Sequence, residues 1–186
     1  MTHRGAPASA VRRLAGRGKG RRLAIPASAR PTSGRARAAL FDILQGKLDG
    51  ARFLDLYAGS GAVGLEAVSR GAASAVLVEP DAGKLRDSLA RLGAEPPEVR
   101  VIASSAGAAV EELIARGERF DLVFADPPYS LAGARELARA GLLLAPGATL
   151  VLQRDAGPGR PPELSGLRHR EERAYGRNVF HFLGLL

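Results

Sequence analysis

The sequence has no cysteine, which excludes disulfides, thiolate metal sites and a cysteine nucleophile. It has no apolar run approaching the roughly 18 residues of a membrane span, so no membrane partner is expected. Acidic residues are missing until Asp42. A basic stretch without acids mimics a transit peptide, but turn and strand signals within it lead straight into the following domain. No apolar segment follows the N-terminal bases as a secretory signal requires, and the cytoplasm is the expected location. There are three histidines, His3, His169 and His181, far apart in sequence and expected at the surface or on an edge strand. No clustered His, Asp and Glu ligands are evident, and no metal is expected. No internal repeat is present.

Hydrophobic residues make up 46% of the chain and charged residues 25%, the balance of a globular protein and not of a disordered one. A length of 186 residues fits one domain of roughly 100–200 residues and one active site; a monomer is expected. The net charge of +8 is segregated. Residues 1–52 hold 12 of the 27 bases and two of the 19 acids, a balance of +10; the other 15 bases and 17 acids give −2. Arg outnumbers Lys 24 to three, as a compositional bias would produce, yet bias alone would not confine the excess to one end. A segregated basic arm suits a polyphosphate partner.

Residues 1–30 read as this arm and 31–186 as the domain. From Arg12 to Pro26 the sequence RRLAGRGKGRRLAIP alternates small, apolar and basic residues around glycines, the pattern of a small β-hairpin or extended arm. Pro31-Thr32-Ser33 opens a helix, with Thr32 or Ser33 as N-cap and Ala38, Ala39, Leu40, Ile43 and Leu44 at helical spacing. Arg35 and Arg37 fall in its first turns, where the helix dipole disfavours cations, so an anion is expected nearby. After Gly50, strands at Arg52–Tyr57, Ala75–Glu79, Val99–Ala103, Phe120–Ala125 and Thr149–Gln153 alternate with helices at about Ala62–Arg70, Ala82–Leu92, Ala106–Arg116 and Leu131–Ala140. Five strands with four crossover helices predict a parallel doubly wound sheet. Beyond the Pro/Gly loop Gly157–Pro162, His169–Ala174 and Val179–Leu183 flank the turn signal Tyr175-Gly176-Arg177-Asn178, and an antiparallel pair should close one edge.

Three motifs carry the chemistry. Asp55-Leu-Tyr-Ala-Gly59-Ser-Gly61-Ala-Val-Gly64 places glycines on the first strand-to-helix turn, where a Cβ would block close approach of a ligand and helix N–H groups favour an anionic group. Alone this also describes NAD or FAD binding or a ligand-free tight turn. Glu79 ends the second strand, where a carboxylate can accept both hydroxyls of a ribose; Asp81 is better placed to cap the following helix. Asp126-Pro127-Pro128-Tyr129 follows the fourth strand at the same sheet edge. Its prolines remove two N–H donors and leave carbonyl oxygens and the Asp126 carboxylate as acceptors for an amino group. Such acceptors aim the nitrogen lone pair at a methyl donor and stabilise the positive charge that grows on nitrogen, while Tyr129 can stack on a base. A Pro-Pro turn with a capping Asp leaves the coincidence of the three motifs unexplained; together they point to methyl transfer.

Asp55–Gly64, Glu79 and Asp126–Tyr129 resemble class I methyltransferases with an Asp-Pro-Pro-Tyr motif. Adding Arg12–Pro26, Arg30-Pro31-Thr32, Arg35-Ala-Arg37 and Leu40-Phe41, the chain from Arg12 onward is similar to the RsmD family of bacterial ribosomal RNA guanine-N2 methyltransferases. The resemblance implies an α/β, Rossmann-like class I fold, a mostly parallel seven-stranded sheet with a C-terminal antiparallel hairpin and a small basic N-terminal hairpin arm. It implies S-adenosylmethionine as cofactor, held by Asp55, Tyr57, Ala58, Gly59, Ser60, Gly61, Glu79, Pro80, Ser105 and Ala106, with Ser105 at a position where relatives carry Asp or Asn. Asp126, Pro127, Pro128 and Tyr129 would form the catalytic cluster around a guanine of 16S ribosomal RNA in a small-subunit particle, and Arg12, Arg21, Arg22, Arg30, Thr32, Arg35 and Arg37 would contact RNA. Gly18, Gly34 and Ala38 depart from the family's arm. A sulfonium donor, whose leaving group is a neutral thioether, needs no Lewis acid, in keeping with the absence of an expected metal.

A DNA or RNA adenine-N6 methyltransferase would use the same catalytic residues; the arm, and the lack of room for a separate target-recognition domain, favour structured RNA. A nicotinamide oxidoreductase would use the glycine turn and Glu79 but has no need of Asp126–Tyr129, and a silent RNA-binding module has no need of Asp126.

Overall fold

The computed structural model describes residues 12–13, 22–23, 32–91, 98–128, 133–155 and 163–186. In the arm, β1 (Arg12–Arg13) pairs antiparallel with β2 (Arg22–Leu23), Arg12 opposite Leu23, which is the expected hairpin ladder. Arg21, Arg30 and Tyr129 lie outside the described residues. Helix α1 (Thr32–Leu44) already includes Thr32, so that residue belongs to the first turn.

The main sheet contains β3 (Arg52–Asp55), β4 (Ser74–Val78), β5 (Val99–Ile102), β6 (Phe120–Ala125), β7 (Leu144–Asp155), β8 (Leu167–Tyr175) and β9 (Asn178–Leu185) in the order β5-β4-β3-β6-β7-β9-β8. The first five are parallel, and β9 pairs antiparallel with both β7 and β8. Helices α2 (Ala62–Ser69), α3 (Ala82–Arg91), α4 (Ala106–Ala115) and α5 (Gly133–Ala140) fill the crossovers. Strand β7 extends well beyond the expected Thr149–Gln153. Leu144 pairs with Phe120, the register shifts, and pairing resumes at Leu122 and Thr149; Pro146 and Gly147 in the irregular stretch disguise its first half as a turn.

Alternation along the buried strands feeds two cores. Phe53, Leu77, Phe124, Val151, Phe180 and Phe182 face Leu40, Phe41 and Leu44 of α1 together with α2 and α3. Leu54, Val76, Val123, Leu150, Leu152 and Leu183 face α4 and α5. Charged β8 is exposed along most of its length, which blunts a free edge against pairing with other chains.

Of the two described histidines, His169 is exposed on the edge strand β8, as expected, and His181 departs from expectation. His181 is 4% exposed on β9, and the hairpin brings its ring centroid 5.4 Å from that of His169. Glu172 joins them, so a His/Glu cluster exists where none was evident in the sequence. Separation along the chain does not limit proximity across a strand pair. His3 lies outside the described residues.

Candidate active site

From β3 the chain runs outward through β4 to β5, then returns to β6 on the other side of β3. The strand order therefore reverses between β3 and β6, and a crevice opens at their carboxyl ends. The glycine turn, Glu79 and Asp126 all lie there, directly after β3, β4 and β6 respectively.

Each glycine of the turn has its own reason. Gly59 has φ +53° with open space where a Cβ would sit, so backbone conformation demands it. Gly61 has φ +79°, and a Cβ there would lie 2.6 Å from Leu85 Cδ1; at Gly64 it would lie 2.0 Å from Leu77 Cδ2. At these two positions the obstacle is the chain's own core rather than a ligand. Gly61 is the N-cap of α2 and brings no side chain of its own; Asp55 takes the Gly64 amide, and the N–H groups of the first turn ahead of Gly64 are oriented for an anionic group.

Glu79 is aligned by the backbone. Its Oε2 accepts from Gly59 N–H at 2.9 Å and its Oε1 from Asp81 N–H at 3.1 Å. A carboxylate has about four acceptor positions, so both oxygens can still accept from ribose hydroxyls. Asp55 is 1% exposed, and its carboxylate accepts from the Tyr57 and Gly64 amides. It shapes the turn from beneath instead of facing the crevice. Burial raises its pKa to about 7; the two amides oppose that shift, and the Asp126 and Glu79 charges add to it. Glu79 and Asp126 thus put two carboxylates at one edge, suited to a cationic ligand.

Asp126 is exposed beyond β6, with Gln153 Nε2 of β7 donating to its Oδ2 at 3.4 Å. Gln153 also donates to Asn178 Oδ1 at 3.0 Å. Neither partner was singled out from the sequence; the signal was Gln153, a polar residue ending an apolar strand. Pro127 is half-buried and Pro128 exposed. Ser105 caps α4, its Oγ accepting from Ala108 N–H at 3.3 Å, which leaves its hydroxyl hydrogen and one lone pair for another partner. Ala58 and Ala106 are buried, Ser60 is half-buried and Pro80 exposed around the crevice. Tyr57 donates to Glu136 Oε2 at 3.1 Å, which ties the turn to α5.

The two arginines of α1 differ. Arg35 is exposed. Arg37 Nε lies 2.8 Å from Glu66 Oε2 with only 12% of its side chain exposed, so its anion is internal. Arg70 holds the other oxygen of Glu66 at 2.7 Å and stacks its guanidinium 5.1 Å from the Phe41 ring centroid.

Strand order, glycine turn and switch-point acids define an α/β Rossmann-like methyltransferase fold. The family described as Conserved hypothetical protein 95, that of the RsmD methyltransferases, matches residues 11–184, and the chain belongs to it. It is 41% identical over 124 residues to Ribosomal RNA small subunit methyltransferase D of Escherichia coli K12, a match covering 64% of this chain and 60% of that protein. The aligned segment thus spans less than two thirds of the relative. A hypothetical protein of Thermus thermophilus is 38% identical with a TM-score of 0.71, covering 95% of this chain and 100% of its own. The yhhF protein of Escherichia coli, provisionally called a methyltransferase, is 33% identical with a TM-score of 0.71, covering 94% and 97%.

Proposed function

We propose that this chain transfers a methyl group from S-adenosylmethionine to the exocyclic N2 amino group of a guanine in 16S ribosomal RNA. It does so as a cytoplasmic monomer acting on a small-subunit particle. The observation that carries this reading is the convergence of backbone-aligned Glu79 and protruding Asp126 on one crevice. The name of the Escherichia coli relative supports the ribosomal target.

The residues fit the cofactor. Glu79 would offer its remaining lone pairs to the ribose, Ser105 and Ala106 would hold the adenine, and the N–H groups at the start of α2 that Asp55 does not take would receive an anionic group. The Glu79 and Asp126 carboxylates at the crevice match a sulfonium and an ammonium. When bound, S-adenosylmethionine supplies an electrophilic methyl group with a neutral thioether as leaving group.

Asp126 and the Pro127 carbonyl hold the hydrogens of the amino group and direct its lone pair into the crevice, and Tyr129 stacks on the base. As the new nitrogen–carbon bond forms and the carbon–sulfur bond breaks, positive charge grows on nitrogen beside the Asp126 carboxylate, which stabilises it. The nitrogen then releases one proton toward Asp126 and solvent. Gln153 restrains the carboxylate meanwhile. Arg12, Arg21, Arg22, Arg30 and Arg35 engage RNA phosphates with Thr32 beside them, and Arg37 fixes the helix that presents Arg35.

The test supplies the protein and labelled cofactor with small-subunit particles or duplex DNA and identifies the product nucleoside by mass spectrometry. N2-methylguanosine from particles is expected. Label in DNA alone, or as N6-methyladenine, overturns the reading, as does calorimetry showing NAD bound in preference to S-adenosylhomocysteine.

A further inference from the structure

The β8–β9 hairpin carries a donor cluster that methyl transfer does not use. His169 Nε2 lies 3.3 Å from His181 Nδ1, and Glu172 Oε2 lies 3.4 Å from the same nitrogen. One donor atom from each residue falls within 4.8 Å of the other two.

A strand irregularity brings them together. Residues three apart in a regular strand point to opposite faces, so His169 and Glu172 should diverge. Here His169 pairs with Leu183, Glu171 with Phe182 and Glu172 with His181, which leaves Arg170 as an extra residue in β8. The bulge restores parity, and His169 and Glu172 share the face of His181. The Arg170 guanidinium lies over Gly184, within 2.2 Å of where a Cβ on that glycine would stand, on the opposite side of β9. The bulge thus gathers three donors on one face and sends its own cation to the other.

Hydrogen bonding alone serves this arrangement poorly. A single imidazole nitrogen, His181 Nδ1, faces both another imidazole nitrogen and a carboxylate, and with one proton or one lone pair it can satisfy only one of them. A cation at their centre satisfies all three. Tetrahedral bonds of about 2.0–2.1 Å set donor atoms roughly 3.3–3.4 Å apart, the two separations found. His169 and Glu172 are exposed and able to rotate to close the third edge. Two imidazoles and a carboxylate suit zinc and its neighbours rather than magnesium or calcium. Arg154 shares the face from β7, and its charge opposes a cation; the Glu172 carboxylate offsets it.

We propose that this hairpin binds one divalent cation of the zinc class through His169 Nε2, His181 Nδ1 and the Glu172 carboxylate, with water in the fourth position. The site lies on the α4/α5 side of the sheet, whereas Gln153, which reaches Asp126, lies on the α1 side with Val151. The ion clips the edge strand β8 to β9 and takes no part in methyl transfer.

The test strips the full chain with chelator and titrates zinc alone against a chromophoric competitor, with thermal denaturation in parallel. One zinc per chain is expected, with Tm raised by roughly 5–10 °C at a hundredfold excess over Kd. His169→Ala and Glu172→Gln change exposed side chains and should each weaken binding by about tenfold or more. Absence of saturable zinc binding, or equal affinity in both variants and the parent chain, overturns the proposal.

Discussion

Asp126 and Asp55 are neighbouring acids with different tasks. Asp126 is exposed at the crevice and faces the base in the proposed reaction. Asp126→Ala should therefore lower turnover by about 10²–10³ while leaving S-adenosylhomocysteine affinity unchanged, by single-turnover kinetics and calorimetry; equal loss of both would contradict the role. Asp55 is sealed below, and its folded pKa rises from 3.8 to about 7. The folded state holds this proton more tightly than the unfolded chain does. The associated stability is complete below about pH 4 and is lost as pH rises to about 7. Between pH 5 and pH 8 the parent chain should lose a few kcal/mol relative to Asp55→Asn, measured by urea unfolding. Parallel pH profiles would remove Asp55 as the source.

At the scale of elements, α1 and α2 are joined by charge and α2 is pressed onto β4 through glycine. Glu66 is 7% exposed and is shared between Arg37 and Arg70. Arg37→Ala leaves that carboxylate with one partner and should cost roughly 1–3 kcal/mol of stability, whereas Arg35→Ala, at an exposed position, should leave Tm unchanged. Gly64→Ala drives a methyl into Leu77 and should destabilise by about 1–3 kcal/mol. Gly61→Ala adds a strained φ of +79° to its clash with Leu85, at roughly 1–2 kcal/mol more. Differential scanning calorimetry of the four variants checks this order, and a stable Gly61→Ala would show that the turn tolerates a side chain.

At the scale of the whole molecule, the +10 balance of residues 1–52 predicts salt-sensitive RNA binding. Removing Arg21, Arg22 and Arg35 together should weaken it and reduce the slope of log K against log salt by about 2–3; an unchanged slope would refute phosphate contact. Arg37 is left out because Glu66 already neutralises it. The strand–helix alternation, the switch-point crevice and the three motifs were legible in the sequence because each depends on local chemistry: apolar period, turn glycines, and acceptors placed directly after strands. Chain order says nothing about which side chains meet across strands. Gln153 beside Asp126 and His169 with Glu172 and His181 arise from register, the latter from a single bulge, and Arg37 reaches Glu66 through the packing of α1 on α2. The sequence by itself determined the fold class and the acceptor residues that line the crevice. Only the tertiary structure decided which glycines answer to packing, which arginine remains open to a phosphate and which acid is buried, since each of these is set by a contact between residues distant in the chain.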